Sequence, residues 1–334
     1  MILVLTYSMY EQCTDPVVDW LLEDNVSFFK LNLEDLVTKK VSYCVDVINN
    51  DILIEGKSIK DAIDVIWYRR FYSILDYIPF DENNKILEQV NEEADSEIKT
   101  FLEYLKYFFK DKIIMPEMPT YGENKLIFLD YAKKAGLSCP ETIVTNDKEE
   151  LLKFYYRNDG EIISKPLYFS NYFIKGEETY SIYTTTFKKE MVEKAPDKFF
   201  PTLFQEKVSS LHEIRIFYLD GKIFSTAAIT TNSEKNVDIK LNYYTDHIHW
   251  VNYQLPQDIE DKLRVFMKSI NLNTGSIDIL KTENGFKFIE VNPVGQFLAP
   301  GNYGNYYLEY EIKNWLKQQL EKCGNVREVL EYIN

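Results

Sequence analysis

The chain has 334 residues, 45% hydrophobic and 15% aromatic, which supplies a sizeable core for two or three subdomains and excludes extended disorder. Its 38 basic and 53 acidic residues leave a net charge of −15 with no dense Lys/Arg block, which excludes a general nucleic-acid binder but not a local basic cleft for a small anion. No apolar run reaches the ~20 residues of a spanning helix, Met1 to Leu5 turn polar too soon for a signal peptide, and the scattered Cys13, Cys44, Cys139 and Cys323 form no C-x-x-C, so a cytoplasmic protein without a disulfide framework or thiolate zinc site is expected.

In chain order, residues 1–6 read as an apolar strand, followed by a helix over 16–23 with Asp15 placed to cap it and Pro16 at its first position. Residues 41–48 and 51–55 read as a hairpin across Asn49-Asn50, and Val65, Ile66, Trp67 and Tyr68 as a strand ending on Arg69-Arg70. Helical spacing runs over residues 83–110, with Leu102, Leu105 and Phe109 on one stripe, and Met115-Pro116-Glu117-Met118-Pro119 then breaks the pattern. A helix over 124–135 is stopped by Gly136, a strand covers 140–145, Asp147 caps a helix through Arg157, and a strand covers 162–165. Strand-like segments continue to Ile229, with Asp220-Gly221 a strong hairpin turn. A helix over 257–270, a hairpin, an irregular Gly-containing stretch and a closing helix near 307–321 complete the chain. This order indicates α+β lobes rather than one doubly wound sheet. Boundaries are expected at 118/119 and 204/205, giving lobes over 1–118, 119–204 and 205–334.

The segment from Thr274 to Pro293 carries the most chemistry. A two-residue Asn284-Gly285 loop would pair Glu283 with Phe286 and Asp278 with Val291. A three-residue loop pairs Thr282 with Phe286 and Asp278 with Glu290, gathering Ile277, Ile279, Ile289 and Val291 on one face. Burying Glu290 among isoleucines costs several kcal/mol, so the three-residue loop is expected. Asp278, Glu290 and Asn292 then share the opposite face, a set of hard oxygen donors suited to Mg²⁺ rather than zinc. A solvated strand face explains this hairpin equally well on its own. His247-Ile248-His249 lacks a third zinc ligand, and no G-x-S-x-G, H-E-x-x-H, Walker-type or G-x-G-x-x-G motif occurs.

The ordered set Asn124-Lys125, Lys165, Gln205-Glu206-Lys207-Val208, Glu213-Ile214-Arg215, Asp278 and Glu290-Val291-Asn292-Pro293 resembles the ATP-grasp ligases over about residues 123–296. The resemblance implies an ATP-grasp fold, with an N-terminal α/β lobe and two α+β lobes clasping ATP. It implies that Lys125 and Lys165 contact the α/β-phosphates, that Gln205, Glu206, Lys207 and Val208 line the adenine hinge, and that Glu213 holds the ribose. Asp278, Glu290 and Asn292 would carry Mg²⁺, with Arg215 facing the transferring phosphate and Lys165 and Asn292 acting beside it.

Two features narrow the resemblance. Asn292-Pro293-Val294-Gly295-Gln296 is similar to the N-P-x-G-Q ending of the graspetide synthetases, the macrocyclases of microviridin-type peptides, and Trp67-Tyr68-Arg69-Arg70 to a strand end in their grasp-with-spasm members. Those enzymes phosphorylate an Asp or Glu side chain of a precursor peptide, and a Ser/Thr hydroxyl or Lys amine closes an ester or amide ring with release of ADP and phosphate. The resemblance implies a peptide partner with a leader segment, no nucleic-acid or membrane partner, and a homodimer. Arg69, Arg70, Asp238, Lys240, Tyr172 and Phe173 are the substrate candidates it suggests. Departures are present: Lys240 stands where those enzymes carry Arg, and the stretch 167–186 is aromatic where many ATP-grasp proteins are glycine-rich. The alternatives are a ligase of free amino acids onto a small molecule or protein C-terminus, and a non-catalytic nucleotide-dependent peptide binder.

Overall fold

The computed structural model describes residues 1–7, 11–38, 40–71, 85–117, 123–168, 172–175, 178–230 and 248–324. The chain divides into two compact units, Met1–Glu117 with Tyr307–Asn334, and Met118–Tyr306. Among the described residues no helix is long and apolar enough to cross a membrane.

The first unit is built on a parallel four-stranded sheet in the order Phe28–Asn32, Ile2–Thr6, Val65–Tyr68, Ile113–Met115. Ile2–Thr6 is buried at every position, as a central parallel strand covered on both faces must be. Leu3 and Leu5 pack with Leu102, Leu105 and Phe109, the helical stripe expected within Lys85–Phe108 and just beyond it. The helices Thr14–Glu23 and Leu308–Lys322 meet through a Trp20–Tyr310 edge contact at 5.1 Å and a 2.9 Å ion pair from Lys313 to Asp24. Asp15 does not cap the first helix. It lies inside the first turn and pairs with Lys30 at 2.7 Å, while Glu11 Oε1 accepts the Cys13 amide at 2.8 Å.

The second unit holds two antiparallel sheets. The smaller runs Thr185–Thr186, Ile162–Lys165, Lys198–Glu206, Thr142–Asp147, and Leu151 and Phe154 of the helix Lys148–Arg157 pack on its Ile162 and Phe204. Asp147 caps that helix as expected, accepting the Glu149 and Glu150 amides at 2.8 and 3.2 Å. A separate two-stranded hairpin joins Tyr172–Lys175 to Glu178–Ser181.

The larger sheet runs Ile248–Asn252, Lys222–Thr230, His212–Leu219, Thr274–Thr282, Gly285–Asn292. Its tight Asp220-Gly221 turn places both residues at positive φ, 44° and 92°, and pairs Leu219 with Lys222. Ile214, Ile216, Ile277 and Ile279 face Leu263, Phe266 and Met267 of the helix Gln257–Ser269 and Phe128 and Ala132 of the helix Lys125–Lys134. With one face closed by helices, alternation sends the odd-one-out polar residues of the same strands to the other face.

The Thr274–Thr282/Gly285–Asn292 hairpin follows the expected register at one end and departs from it at the other. Asp278 lies opposite Glu290, and Ile277 opposite Val291, as expected. Toward the turn the pairs are Ile279–Phe288, Leu280–Lys287, Lys281–Phe286 and Thr282–Gly285, so the loop is the two residues Glu283-Asn284 and Ile289 is an extra residue in the ladder. The bulge puts Phe288 in the core in place of Ile289. Its ring meets Phe266 edge-on at 4.9 Å and its amide donates to Ser138 O at 2.7 Å, so the larger apolar surface is the one removed from water.

Candidate functional site

The polar face of the larger sheet carries a row across its strands. Thr226, Arg215, Asp278 and Glu290 occupy successive directly opposed positions. Arg215 Nη1 donates to Asp278 Oδ1 and Oδ2 at 2.6 and 2.7 Å, and Arg215 Nε lies 2.8 Å from Glu213 Oε1, two residues back on the same strand face. Cross-strand neighbours on one face stand about 5 Å apart at Cβ, so two opposed carboxylates without cations would repel. Here the guanidinium neutralises one of them. Lys125 approaches the other, with its Nζ 3.6 Å from Glu290 Oε2.

Lys125 is aimed there by its helix. Asn124 Oδ1 accepts the amides of Leu126 and Ile127 at 3.0 and 3.3 Å, which sets Lys125 as the first helical residue. Its Nζ also lies 3.5 Å from Pro166 O, just past the end of the strand Ile162–Lys165. Lys125 thus reaches both sheets of the second unit, and a cleft of about 280 Å³ lies between them. Lys125, Lys165, Arg215, Asp278, Glu290 and Asn292 all line it. Six of the residues expected from sequence therefore converge, from five separate elements.

The donor set suits a hard divalent cation. Asp278 and Glu290 are opposed carboxylates, and Asn292 follows on the same face with an amide oxygen. Asn292 Oδ1 accepts the Val294 amide at 3.2 Å, which fixes the side chain and leaves the second lone pair of that oxygen for a ligand. No group of three His, Cys, Asp or Glu suitable for a metal occurs among the described residues. A cation here would take two carboxylates and an amide from the protein, and complete its shell with phosphate and water oxygens, the habit of Mg²⁺.

The residues expected at the adenine hinge lie where the strand Lys198–Glu206 leaves the smaller sheet for His212–Leu219 in the larger. Gln205 is buried and donates to Thr142 Oγ1 at 2.8 Å. Glu206 Oε2 accepts the Glu141 amide at 3.1 Å and pairs with Lys287 at 3.2 Å, while Lys207 Nζ is held by Glu161 at 2.8 Å. Val208 is half-buried in the connection that follows. Lys287 was not expected here, since only the bulge at Ile289 turns it to the polar face opposite Leu280. Cys139 packs, partly buried, against the core of the larger sheet. Burial pushes its thiol up to about 11, against a smaller opposing effect of the nearby Lys287 ammonium.

The substrate candidates distribute differently. Arg69 and Arg70 belong to the first unit, at the end of Val65–Tyr68. Arg69 is 1% exposed with its Nε 3.4 Å from Glu11 Oε1, and Arg70 Nη1 lies 3.7 Å from Glu11 Oε2. Tyr172 and Phe173 form part of the hairpin strand Tyr172–Lys175, their side chains outside the described residues, as are Asp238 and Lys240 entirely. Sequence reading missed Ser276, which faces Asn292 across the hairpin, and assigned no role to Gln296; both line the cleft.

No family model matches the sequence, and no curated protein sequence matches it either. Solved structures do. The macrocyclase MdnC from Microcystis aeruginosa MRC, bound with the precursor peptide MdnA, superposes with a TM-score of 0.78 at 23% identity, over 95% of this chain and 99% of that one. A RiPP-associated ATP-grasp ligase of Chryseobacterium gregarium, in complex with ADP and a leader and core peptide, gives 0.79 at 20% identity, over 95% and 96%. The fold is ATP-grasp. The ATP-grasp ligase PsnB, complexed with a minimal precursor, Mg and ADP, extends the same likeness at 0.73 and 16% identity, over 95% and 96%. An ATP-grasp fold accounts for two sheets of one unit facing each other across a cleft with the carboxylate hairpin on one side.

Proposed function

We propose that this protein is an ATP- and Mg²⁺-dependent ligase that matures a ribosomal precursor peptide, activating Asp or Glu side chains and closing ester or amide rings. The observation that carries the reading is the convergence of Lys125, Lys165, Arg215, Asp278, Glu290 and Asn292 on one cleft of an ATP-grasp fold. Adenine binding alone needs neither opposed carboxylates nor a guanidinium beside them. The neighbours' bound precursor peptides favour a peptide over a free amino acid as the substrate.

In this reading the Lys125 and Lys165 ammonium groups hold the phosphate chain, compact charges matching its oxygens. Glu206 and Val208 meet the base through their backbone, and Glu213 accepts from the ribose hydroxyls. Asp278, Glu290 and Asn292 hold Mg²⁺, which when bound neutralises charge on the phosphates. Arg215 is positioned by Asp278 and Glu213 to face the transferring phosphoryl group. The acceptor carboxylate oxygen attacks the γ-phosphorus, ADP leaves, and an acyl phosphate results. A hydroxyl or amine of the same peptide then attacks the acyl carbon, expelling phosphate and losing its proton. The chain's own contribution is orientation and charge stabilisation, with water kept from the acyl phosphate.

The test is intact mass of a candidate precursor peptide after incubation with the protein, ATP and Mg²⁺. Loss of one water per ring with matching ADP release is expected, and a Glu290→Gln variant should show neither. Unchanged peptide mass alongside ADP release driven by free amino acids would replace this reading with the small-molecule ligase.

A further inference from the structure

Resting on that reading, we infer that Gln296 is a substrate-positioning residue whose carboxamide grips the carboxyl side chain to be activated. The backbone around it is organised to present this one residue. Val291 and Pro293 are buried before it, Gly295 and Phe297 are buried on either side, and Gln296 alone of residues 293–297 is exposed. Gly295 sits at φ +72°, where L side chains are strained, and a Cβ there would press on the Phe217 ring at 3.1 Å, so the position favours glycine. Phe297 packs on that same ring, with centroids 5.7 Å apart. Between these two contacts Ser276 Oγ donates to the Gln296 carbonyl at 3.1 Å. Ser276 is directly opposite Asn292 and two residues from Asp278, so the strand that carries one carboxylate also holds the Gln296 backbone.

Gln296 is exposed and lines the cleft shared by Arg215, Asp278, Glu290 and Asn292, and among the described residues its carboxamide has no hydrogen-bond partner. A primary amide anchored at its backbone and open at its tip suits a ligand rather than the fold. Beside two carboxylates that a cation would neutralise, its N–H groups can donate to an anionic oxygen without adding charge. An arginine there would compete for Asp278 and Glu290. The chemistry fits a carboxylate acceptor, held by one neutral donor next to the phosphate being transferred.

The experiment uses the full chain with ATP, Mg²⁺ and a pool of acetylated, amidated decapeptides each carrying a single Glu. The same pool with Gln replacing Glu sets the background. ADP release gives KM and kcat for the peptides, hydroxylamine trapping reports acyl phosphate, and titration with ATP gives nucleotide Kd. Gln296→Ala should raise the peptide KM about tenfold or more, the scale of a hydrogen bond to a charged group, and leave the nucleotide Kd within about twofold. Gln296→Glu should be worse than Gln296→Ala, because it sets like charges together, while Gln296→Asn recovers part of the loss. Ser276→Ala should raise KM by a smaller factor. A Gln296→Ala enzyme with unchanged peptide KM overturns the inference, as does one whose nucleotide affinity falls in step, since that marks a folding role. Wild-type protein that binds ATP yet forms no hydroxamate with the Glu pool would instead overturn the function proposed above, and this inference with it.

Discussion

Two arginine–carboxylate clusters in this protein use the same chemistry in different surroundings. Arg215 with Asp278 and Glu213 lies in a cleft, its side chain 11% exposed and that of Asp278 10%. Arg69 with Glu11 is closed off at 1% and 1%. A charged pair at a cleft can exchange partners when an anion or cation enters, because solvent and ligand compensate each group. A pair sealed inside a unit has no such option, and solvent cannot make up for the loss of either member. Arg70, on the same Glu11, is the intermediate case at 24% exposed.

The comparison predicts that equivalent substitutions separate activity from stability. Arg215→Met should lower ADP release roughly a thousandfold, the scale of an arginine that stabilises a transferring phosphoryl group, with a smaller loss of folding stability than the sealed cluster shows, because Asp278 and Glu213 keep some access to solvent. Arg215→Lys should recover only a small part of it, having charge but no planar fork. Glu11→Ala should behave oppositely and cost roughly 3–5 kcal/mol of folding stability, read from urea unfolding of the chain. Equal loss of stability in both variants would erase the distinction between the clusters.

A smaller effect tests how the accessible cluster is framed. Gly295→Ala places a side chain at positive φ against Phe217 and should cost roughly 1–3 kcal/mol, with a raised peptide KM that exceeds what the stability loss explains. The smallest is a pH effect on the strand that carries Glu213 and Arg215. His212 heads that strand, and burial, helped by the Lys281 charge, holds its imidazole below the usual value of 6.5. The unfolded chain therefore takes up this proton first. Stability from His212 is fully present above pH 6.5 and declines as pH falls below it toward the folded value. Melting curves at descending pH should show that decline, and His212→Gln should flatten it.

Much of the site was legible in the sequence because its signals are local. Asn124 before a helix, the carboxylates at alternating positions and the apolar set Ile277, Ile279 and Val291 each follow from a period of two or of 3.6. Asp278 opposite Glu290 needed only a burial argument, and that end of the hairpin matched it. The turn end did not. A bulge at Ile289 lets Phe288 reach Phe266, a choice made by a helix some twenty residues upstream in the chain, and that choice also brings Lys287 to Glu206.

The sequence by itself determined the elements, the alternation that separates apolar from oxygen-bearing faces, and the identities of the groups that phosphate chemistry requires. These depend on residue type and on spacing within a strand or helix, where the physics acts over a few residues. Only the tertiary structure decided which charges are sealed and which face a cleft. Arg69, just past a strand end, and Arg215, within a strand, are both arginines beside carboxylates, and their accessibility depends on what distant segments lay over them. It also decided that Gln296 stands at the cleft, because Phe217 and Ser276, far away in sequence, hold the backbone that carries it.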